Sequence, residues 1–319
     1  MLDGACRLDK LVNRAVELDF PALAITDHGV MHGAVDFYQQ AKRKDLKPII
    51  GCEMYIAPGS RFDRKANSRT GKDCYNHLLL LAENEIGYQN LVRLTTAAHL
   101  EGFYYKPRID KELLEAHHEG IIAFSGCLAS EIPQAIIRDD HDKARAALDW
   151  FKQLFGKERF FLELQNHGLN EQAKVNAQLI PWAKEFDLNL VATNDVHYIE
   201  RDHSHAHDAL ICIGTQTHLS DPNRMNYAPE QFYLRSADEM AALFAEVPEA
   251  VRNTMVVAEQ CNVEIELGKL HYPVFEPPEG FTGEGYLRHL MTDGLEKRYG
   301  IEAEDKDGAY EIRSIRDAS

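Results

Sequence analysis

The chain has 319 residues, of which 45% are apolar, so it can bury a sizeable core in one α/β barrel or in two smaller units. Its 35 basic and 51 acidic residues give a net charge of -16, which opposes non-specific binding to nucleic acid and restricts any such contact to a local patch. No apolar run approaches the roughly 20 residues of a membrane-spanning helix, and the N-terminus lacks the order of a secretion signal, so no membrane contact is expected.

The cysteines are scattered along the chain without the paired spacing of a zinc finger or of a disulfide framework. There are six of them: Cys6, Cys52, Cys74, Cys127, Cys212 and Cys261. We therefore expect reduced thiols and a cytoplasmic protein.

Short apolar runs alternate with helical patterns over most of the chain. The runs cover residues 22–26, 48–51, 78–82, 121–125, 160–164 and 188–194. The helical patterns cover residues 35–44, 87–99, 142–155 and 171–186. This alternation predicts a parallel sheet, and a closed barrel is the first choice. In such barrels the chemistry lies at the carboxyl ends of the strands.

The pattern changes after residue 210. Residues 226–234 are predicted to be strand-like, and residues 236–244 and 248–262 to be helices, the first with a capping box formed by Ser236 and Glu239. We expect a first domain over residues 1–265, a stiff linker over 266–282 and an incomplete second unit over 283–319, which contains a helix at about 284–299. The charged stretch 302–319 is expected to fray.

Each apolar run is adjacent to a side chain that binds metals well. Those taken as candidate ligands are His28, Glu53, His77, Cys127, Asp195 and His197, whereas His167, after the run 160–164, is treated separately. Their imidazole, carboxylate and thiolate groups suit zinc, or mixed divalent metals such as manganese and iron. Taken singly, a histidine at a strand end is more often a hydrogen-bonded structural residue, and a lone cysteine a small buried hydrophobe. Six such residues at equivalent strand ends favour one shared metal site, for which hydrolysis of a phosphoester is the natural chemistry.

Other polar residues are set aside at this point. His203, His205 and His207 alternate along a predicted helix, so neighbours fall on different faces, and we leave them out of the site. His167 is ranked as a residue of the rim, and Asp27 fits a turn cap as well as a ligand.

One loop is a candidate for nucleic-acid binding. In residues 60–69 the cations Arg61, Arg64 and Lys65 surround Phe62, whose ring could stack on a base. A solvated loop between two strands fits the same pattern equally well.

Several short motifs carry a resemblance to a known family. They are Leu2-Asp3-Gly4 and the segments at 24–29, 47–53, 87–91, 124–128, 164–168 and 192–198. Together they resemble the N-terminal polymerase-and-histidinol-phosphatase (PHP) domain of the bacterial replicative DNA polymerase III alpha subunit. The similarity runs from residue 2 to about residue 299, and so many collinear motifs are highly specific.

The resemblance implies a distorted, TIM-like (β/α)7 barrel that leads into the start of a polymerase palm. It also implies metal ligands by position: Asp3, His28, Glu53, His77, Cys127, Asp195 and His197. An intact site of this kind holds up to three zinc or manganese ions and can support 3′ to 5′ exonuclease proofreading, whereas a degenerate site serves as a scaffold for a separate proofreading subunit. No catalytic residue is assigned.

The resemblance also has two gaps. The family pattern begins with a His-x-His strand before the Leu-Asp-Gly motif, and here Met1 directly precedes Leu2. At the other end, the palm carboxylates, the fingers and the clamp-binding segment are not matched. We therefore expect a fragment that lacks the first barrel strand, holds fewer than three metals and does not polymerise DNA by itself.

Three functions remain open from sequence. The chain is the metal-binding or proofreading portion of a replicative DNA polymerase, a free-standing metallophosphoesterase, or an inactive docking platform for a proofreading exonuclease. The Gly-Tyr-Gln-Asn-Leu motif at 87–91 and the loop at 103–108 favour the polymerase. The expected partners are then DNA, the exonuclease subunit and other replicase subunits.

Overall fold

A computed structural model describes residues 3–65, 74–227, 230–270, 272–306 and 309–315 of the chain. The chain divides into two compact units, Met1–Ile265 and Glu266–Ser319. No described helix combines the length and the apolar character that crossing a bilayer requires. The assignment of the second unit to the start of a palm region stays a prediction.

The first unit alternates strands and helices, as predicted. Its strands are β1 (Ala22–Ile25), β2 (Lys47–Ile56), β3 (Asn76–Ala82), β4 (Arg108–Ile109), β5 (Ile121–Phe124), β6 (Phe160–Leu164) and β7 (Asn189–Ala192). Its helices are α1 (Leu8–Glu17), α2 (Ala34–Lys42), α3 (Glu85–Leu100), α4 (Lys111–Ala116), α5 (Glu131–Ile137), α6 (His141–Phe155), α7 (Asn170–Glu185), α8 (Ser204–Thr215), α9 (Ala237–Leu243) and α10 (Pro248–Gln260).

Among the described residues, these strands form one sheet in the order β1-β2-β3-β5-β6-β7, with β4 paired to β2. The strands β1 and β7 lie at opposite ends of this order and do not pair with each other. The prediction of a distorted α/β barrel is therefore confirmed in the form of a curled, open sheet, and the absence of a first strand stays a prediction. An all-parallel sheet was the wrong expectation, because β3 runs antiparallel to both β2 and β5. The described part of the connection between β2 and β3 contains no α-helix, and a parallel return requires a crossover element.

Both faces of the sheet are buried, which explains why the strand sequences lack polar alternation. On β5, Ile121 and Ala123 pack into the cluster formed with the outer helices. Their neighbours Ile122 and Phe124 point to the opposite face, into a cluster that includes Val257 of α10. This two-sided burial fixes the register of the strands and hence the positions of the residues at their ends.

Two expectations for the later part of the chain need correction. Residues 226–234 do not form a strand, since their described part makes a single bridge, between Tyr233 and Tyr198. Residues 302–319 do not fray over their described part: β8 (Ile301–Lys306) and β9 (Ala309–Ile315) pair as an antiparallel hairpin. The alternation of apolar and charged residues in these strands is the signal that the expectation overlooked. The helix α9 with its capping box, the helix α10 and the helix α11 (Gly283–Tyr299) confirm the three helices predicted for this part of the chain.

Candidate metal centre

The first two strands bring His28 and Glu53 together. The chain continues beyond β1 in an extended form, so that His28 makes a parallel bridge to Glu53. The backbone N–H of Glu53 donates to the carbonyl of Asp27 at 3.1 Å, and the N–H of Gly29 donates to the carbonyl of Glu53 at 2.8 Å. The two candidate ligands are therefore fixed by main-chain hydrogen bonds on both sides.

The antiparallel strand β3 explains the position of His77. His77 comes at the start of its strand, whereas His28, Cys127 and Asp195 follow theirs and Glu53 lies near the end of β2. Because β3 runs in the opposite direction to β2, its start lies at the edge where β2 ends. His77 Nδ1 accordingly lies 2.6 Å from Glu53 Oε1. Cys127, after β5, places its Sγ 3.7 Å from the same Glu53 oxygen and 3.6 Å from His77 Nδ1.

A second group of candidates surrounds Asp3. His28 Nε2 lies 3.3 Å from Asp3 Oδ1, and His197 Nε2 lies 4.0 Å from Asp3 Oδ2. Asp195 Oδ1 lies 3.8 Å from His197 Nδ1. Two ligand clusters of the size that holds a metal ion result, Asp3-His28-His197 and His28-Glu53-His77, and they share His28. All seven residues predicted as ligands thus surround one site, although their role as ligands stays a proposal.

Two buried polar atoms of the site fit a metal. Asp3 Oδ1 and His28 Nδ1 make no hydrogen bond, although they lie within ion-pair distance of His28 Nε2 and Glu53 Oε2, at 3.3 Å and 3.5 Å. Buried polar atoms are rarely left without a partner, and such an exception requires an explanation. Both atoms are good ligands for zinc or manganese and face other donors of the same clusters. The donor set therefore suits a divalent cation.

The electrostatics show how strongly these groups interact. Burial by itself would lower the pKa of His28, but its contact with Asp3 and the negative charges of Glu53 and Asp3 raise that pKa to about 9. Burial by itself would raise the pKa of Glu53, but the hydrogen bond and charge of His77 and the charge of His28 keep it below its usual range. Burial and the nearby charge of Glu53 raise the pKa of the Cys127 thiol well above normal. Displacing protons from His28 and Cys127 therefore accompanies metal binding.

Two residues that support Asp3 were missed by sequence reasoning. The hydroxyl of Tyr227 donates to Asp3 Oδ2 at 2.9 Å, and His207 Nε2 donates to the carbonyl of Asp3 at 2.6 Å. His207 was set aside because of its spacing from His203 and His205, yet it is buried, unlike these two neighbours. No local signal in the sequence relates these two positions to Asp3.

The segment before Asp195 is held by a buried network. His167 was expected at the rim, but it is only 1% exposed, stacks on Phe232 at 3.9 Å and donates from Nε2 to the carbonyl of Asn194 at 3.0 Å. The side-chain amide of Asn194 donates in turn to the carbonyl of Tyr233 at 2.7 Å. Asp195 itself has a φ of 44°, a region that non-glycine residues rarely occupy. The network therefore holds the candidate ligand Asp195 in a strained backbone conformation.

Over its described residues, the predicted nucleic-acid loop contributes no donor to these clusters, and its main chain is hydrogen-bonded to Arg108. Arg61 is buried, and its guanidinium pairs with Asp110 at 3.0 Å and with Glu101 at 2.7 Å. Its charge is therefore neutralised inside the protein. Arg64 donates to a main-chain carbonyl and Lys65 is exposed. These two cations are left to carry the predicted contact with nucleic acid, which stays a prediction, and residues 66–69 lie outside the described part of the chain.

Several known proteins are similar to this chain in sequence. The DNA polymerase III subunit alpha of Treponema pallidum (strain Nichols) is 44% identical over 306 residues, which are 96% of this chain and 26% of that protein. The DNA polymerase III subunit alpha of Thermus aquaticus is 47% identical over 308 residues, or 94% of this chain and 25% of that protein. The chain thus spans about a quarter of the length of these relatives.

A solved structure and a family model complete the comparison. A crystal structure of a putative metal-dependent phosphoesterase from Bifidobacterium adolescentis superposes with a TM-score of 0.38 at 13% identity, covering 75% of this chain and 92% of that one. The model of the PHP domain matches residues 1–167, which is more than half of the chain. The chain therefore belongs to the PHP domain family.

Proposed function

We propose that this chain is the PHP portion of a DNA polymerase III alpha subunit and that its metal centre hydrolyses a phosphoester at the 3′ end of DNA. The single observation that carries the proposal is the convergence of three imidazoles, three carboxylates and one thiol from distant parts of the chain on one site. The relatives support the polymerase over a free-standing phosphoesterase, because each is named as a polymerase subunit.

The residues divide naturally between two ions. Asp3, His28 and His197 would hold one ion, and Glu53, His77 and Cys127 a second. The two oxygens of Glu53 face different partners, His77 and His28, so this carboxylate can serve both ions. When bound, zinc or manganese polarises phosphoryl oxygens and lowers the pKa of a coordinated water. The chain itself contributes the orientation of the donors, which main-chain hydrogen bonds and buried networks hold in place.

The relatives also suggest the cellular setting. If the proposal holds, the partners of the parent protein are DNA, other replicase subunits and a proofreading exonuclease subunit, and the protein acts in the cytoplasm. A purely inactive docking platform is less well supported, because seven candidate donors surround the site and hydrogen bonds hold Asp3 in position.

Metal analysis tests the assignment directly. We expect the purified chain to retain at least one tightly bound zinc or manganese, and both His77→Ala and Cys127→Ala to lose metal because each removes a donor that contacts Glu53. Cys212→Ala is the matched control, since it removes a buried thiol on α8 outside the donor set. Equal metal content in all four proteins would overturn the assignment. Release of a 3′ mismatched nucleotide, lost in the same two variants, tests the hydrolysis.

A further inference from the structure

One wall of the metal centre is aromatic. The ring of Tyr55 stacks against His28 with centroids 6.1 Å apart, and the ring of Tyr75 lies nearly parallel to His77 at 6.1 Å. The two tyrosines meet edge to face at 5.1 Å. Tyr55 is buried, whereas Tyr75 is half-buried. Tyr75 is therefore the member of this wall that a bound molecule can reach.

A cation lies next to the ring of Tyr55 in the same wall. The ammonium group of Lys106 is 5.3 Å from the centroid of Tyr55, on a tight turn in which the N–H of Tyr104 donates to the carbonyl of Lys106. Among the described residues Lys106 has no carboxylate within ion-pair distance. Its charge is thus available beside the metal centre of a chain whose net charge is -16.

The turn can approach the centre only because residue 29 is glycine. Gly29 has a φ of +66°, and a Cβ at this position would lie 3.0 Å from both Pro107 and the ring of Tyr55. Pro107 directly follows Lys106, so this close contact sets how near the cation comes to His28. On the same turn Tyr105 and Phe103 are 48% and 54% exposed and extend the aromatic surface outward.

A buried arginine holds the tyrosine and the lysine together. Arg108 is 1% exposed and, at its guanidinium, donates to the carbonyls of Cys74 at 3.2 Å and Gly102 at 3.1 Å. Cys74 directly precedes Tyr75, and Arg108 follows Lys106 by two residues. The hydrogen bonds of Arg108 therefore connect the segment that carries Tyr75 with the segment that carries Lys106, without the need for a bound ligand.

We propose that Tyr75 and Lys106 form a nucleotide subsite beside the metal centre, which takes the terminal nucleotide of a single-stranded nucleic acid. Tyr75 stacks on the base and Lys106 pairs with a backbone phosphate, the two interactions by which proteins hold single strands without reading their sequence. The inference rests on the proposed function and names the part of the substrate that is recognised. Because the carboxylates of the centre repel phosphate, binding requires the metal ions as well as Lys106.

The test uses the full chain loaded with manganese and a fluorescent phosphorothioate oligothymidylate, whose linkages resist hydrolysis. Fluorescence anisotropy then measures binding whether or not the chain hydrolyses DNA, so failure of the subsite and failure of the proposed function are distinguishable. We expect Lys106→Gln and Tyr75→Leu each to weaken binding by ~10-fold, and Tyr75→Phe to retain it because the ring remains. Lys143→Gln, an exposed lysine on α6, is the matched control.

A second probe separates the two roles. With an abasic oligomer, Tyr75→Leu should no longer differ from the original chain, while Lys106→Gln should still bind more weakly. Melting curves of all variants check that each is folded. The subsite is refuted if the original chain does not bind the oligomer, or if Lys106→Gln and Tyr75→Leu, when folded, bind as well as Lys143→Gln. It is also refuted if Tyr75→Leu is equally weakened on the abasic oligomer.

Discussion

At the level of single residues, Asp3 depends on side chains that come more than two hundred residues later. Tyr227 donates to its carboxylate and His207 donates to its carbonyl. The position of this candidate ligand is therefore fixed by hydrogen bonds from residues outside the cluster Asp3-His28-His197. Residues that orient a metal ligand in this way usually affect metal affinity nearly as much as some ligands do.

We therefore predict that Tyr227→Phe weakens metal binding. The variant removes only the hydroxyl that donates to Asp3, so the cluster Asp3-His28-His197 loses orientation but no donor. The expected loss of affinity is ~10-fold, measured by competition with a chromophoric chelator. Tyr233→Phe is the control, because it removes an equivalent hydroxyl that donates to Glu239 at 2.6 Å. Equal affinities of the two variants would show that Tyr227 does not position Asp3.

Glu163 gives a prediction about pH. Burial raises its pKa to about 7, although hydrogen bonds from Thr193 and Gln165 act in the opposite direction. A carboxyl group whose pKa is higher in the folded state stabilises the fold while it is protonated. That contribution is complete below a pH of about 4.5, the usual pKa of the group, and is lost as the pH rises through about 7.

The matching variant is Glu163→Gln, which keeps the shape of the side chain and cannot ionise. We compare the two proteins without metal, between about pH 5 and about pH 8. Over this range we expect the free energy of unfolding of the original chain to fall by on the order of 3 kcal/mol more than that of the variant. Urea denaturation at the two pH values measures the difference. Glu158→Gln, an exposed glutamate, should show no such change. A difference independent of pH would contradict the assignment of the proton to Glu163.

At the level of elements, the connection after β1 depends on a glycine. Gly29→Ala combines an unfavourable positive φ with a contact at 3.0 Å to Pro107 and Tyr55, whereas Gly156→Ala at the end of α6 has a φ of +72° and open space around it. We expect Gly156→Ala to cost about 1 kcal/mol of unfolding free energy and Gly29→Ala about 2–3 kcal/mol. Chemical denaturation measures the unfolding free energy of both variants, and the difference between them gives the cost of the contact apart from the cost of the backbone conformation. If both variants cost the same, the contact contributes nothing.

Also at the level of elements, the direction of β3 decides which candidate ligands lie close together. A parallel β3 would place His77 at the opposite edge of the sheet from Glu53, on the far side from the other donors. The antiparallel pairing of β3 with β2 places His77 next to Glu53 instead. The predicted set of ligands, whose role stays a proposal, was therefore compatible with a wrong expectation about the sheet.

At the level of the whole molecule, the division into two units leads to a prediction about truncation. The unit Met1–Ile265 contains the described sheet, its clusters of buried residues and every candidate ligand. A chain that ends after Ile265 should therefore unfold cooperatively at nearly the same temperature as the full chain and bind the same amount of metal. Differential scanning calorimetry and metal analysis check both. Loss of the cooperative transition would show that the second unit is needed for folding of the first.

Sequence alone determined the class of the fold and the residue types of the candidate site. The alternation of apolar runs with helical patterns is a local signal, and it identified the strands β1, β2, β3, β5, β6 and β7 and the helices α2, α3, α6 and α7. The residue types next to those runs are also local, and they indicated a site for divalent metals. Sequence motifs that span nearly the whole chain indicated the family, which the matched model of the PHP domain confirms.

Tertiary structure alone decided which groups meet. Three examples depend on contacts between residues far apart in the chain. His207 and Tyr227 hold Asp3, Arg61 forms an ion pair with Asp110, and Lys106 lies over the ring of Tyr55. Such contacts follow from strand direction, register and close packing of the core, which no local pattern encodes. The sequence therefore specifies which candidate donors are present. The packing of the fold specifies which residues hydrogen-bond to them and which aromatic residues lie beside them.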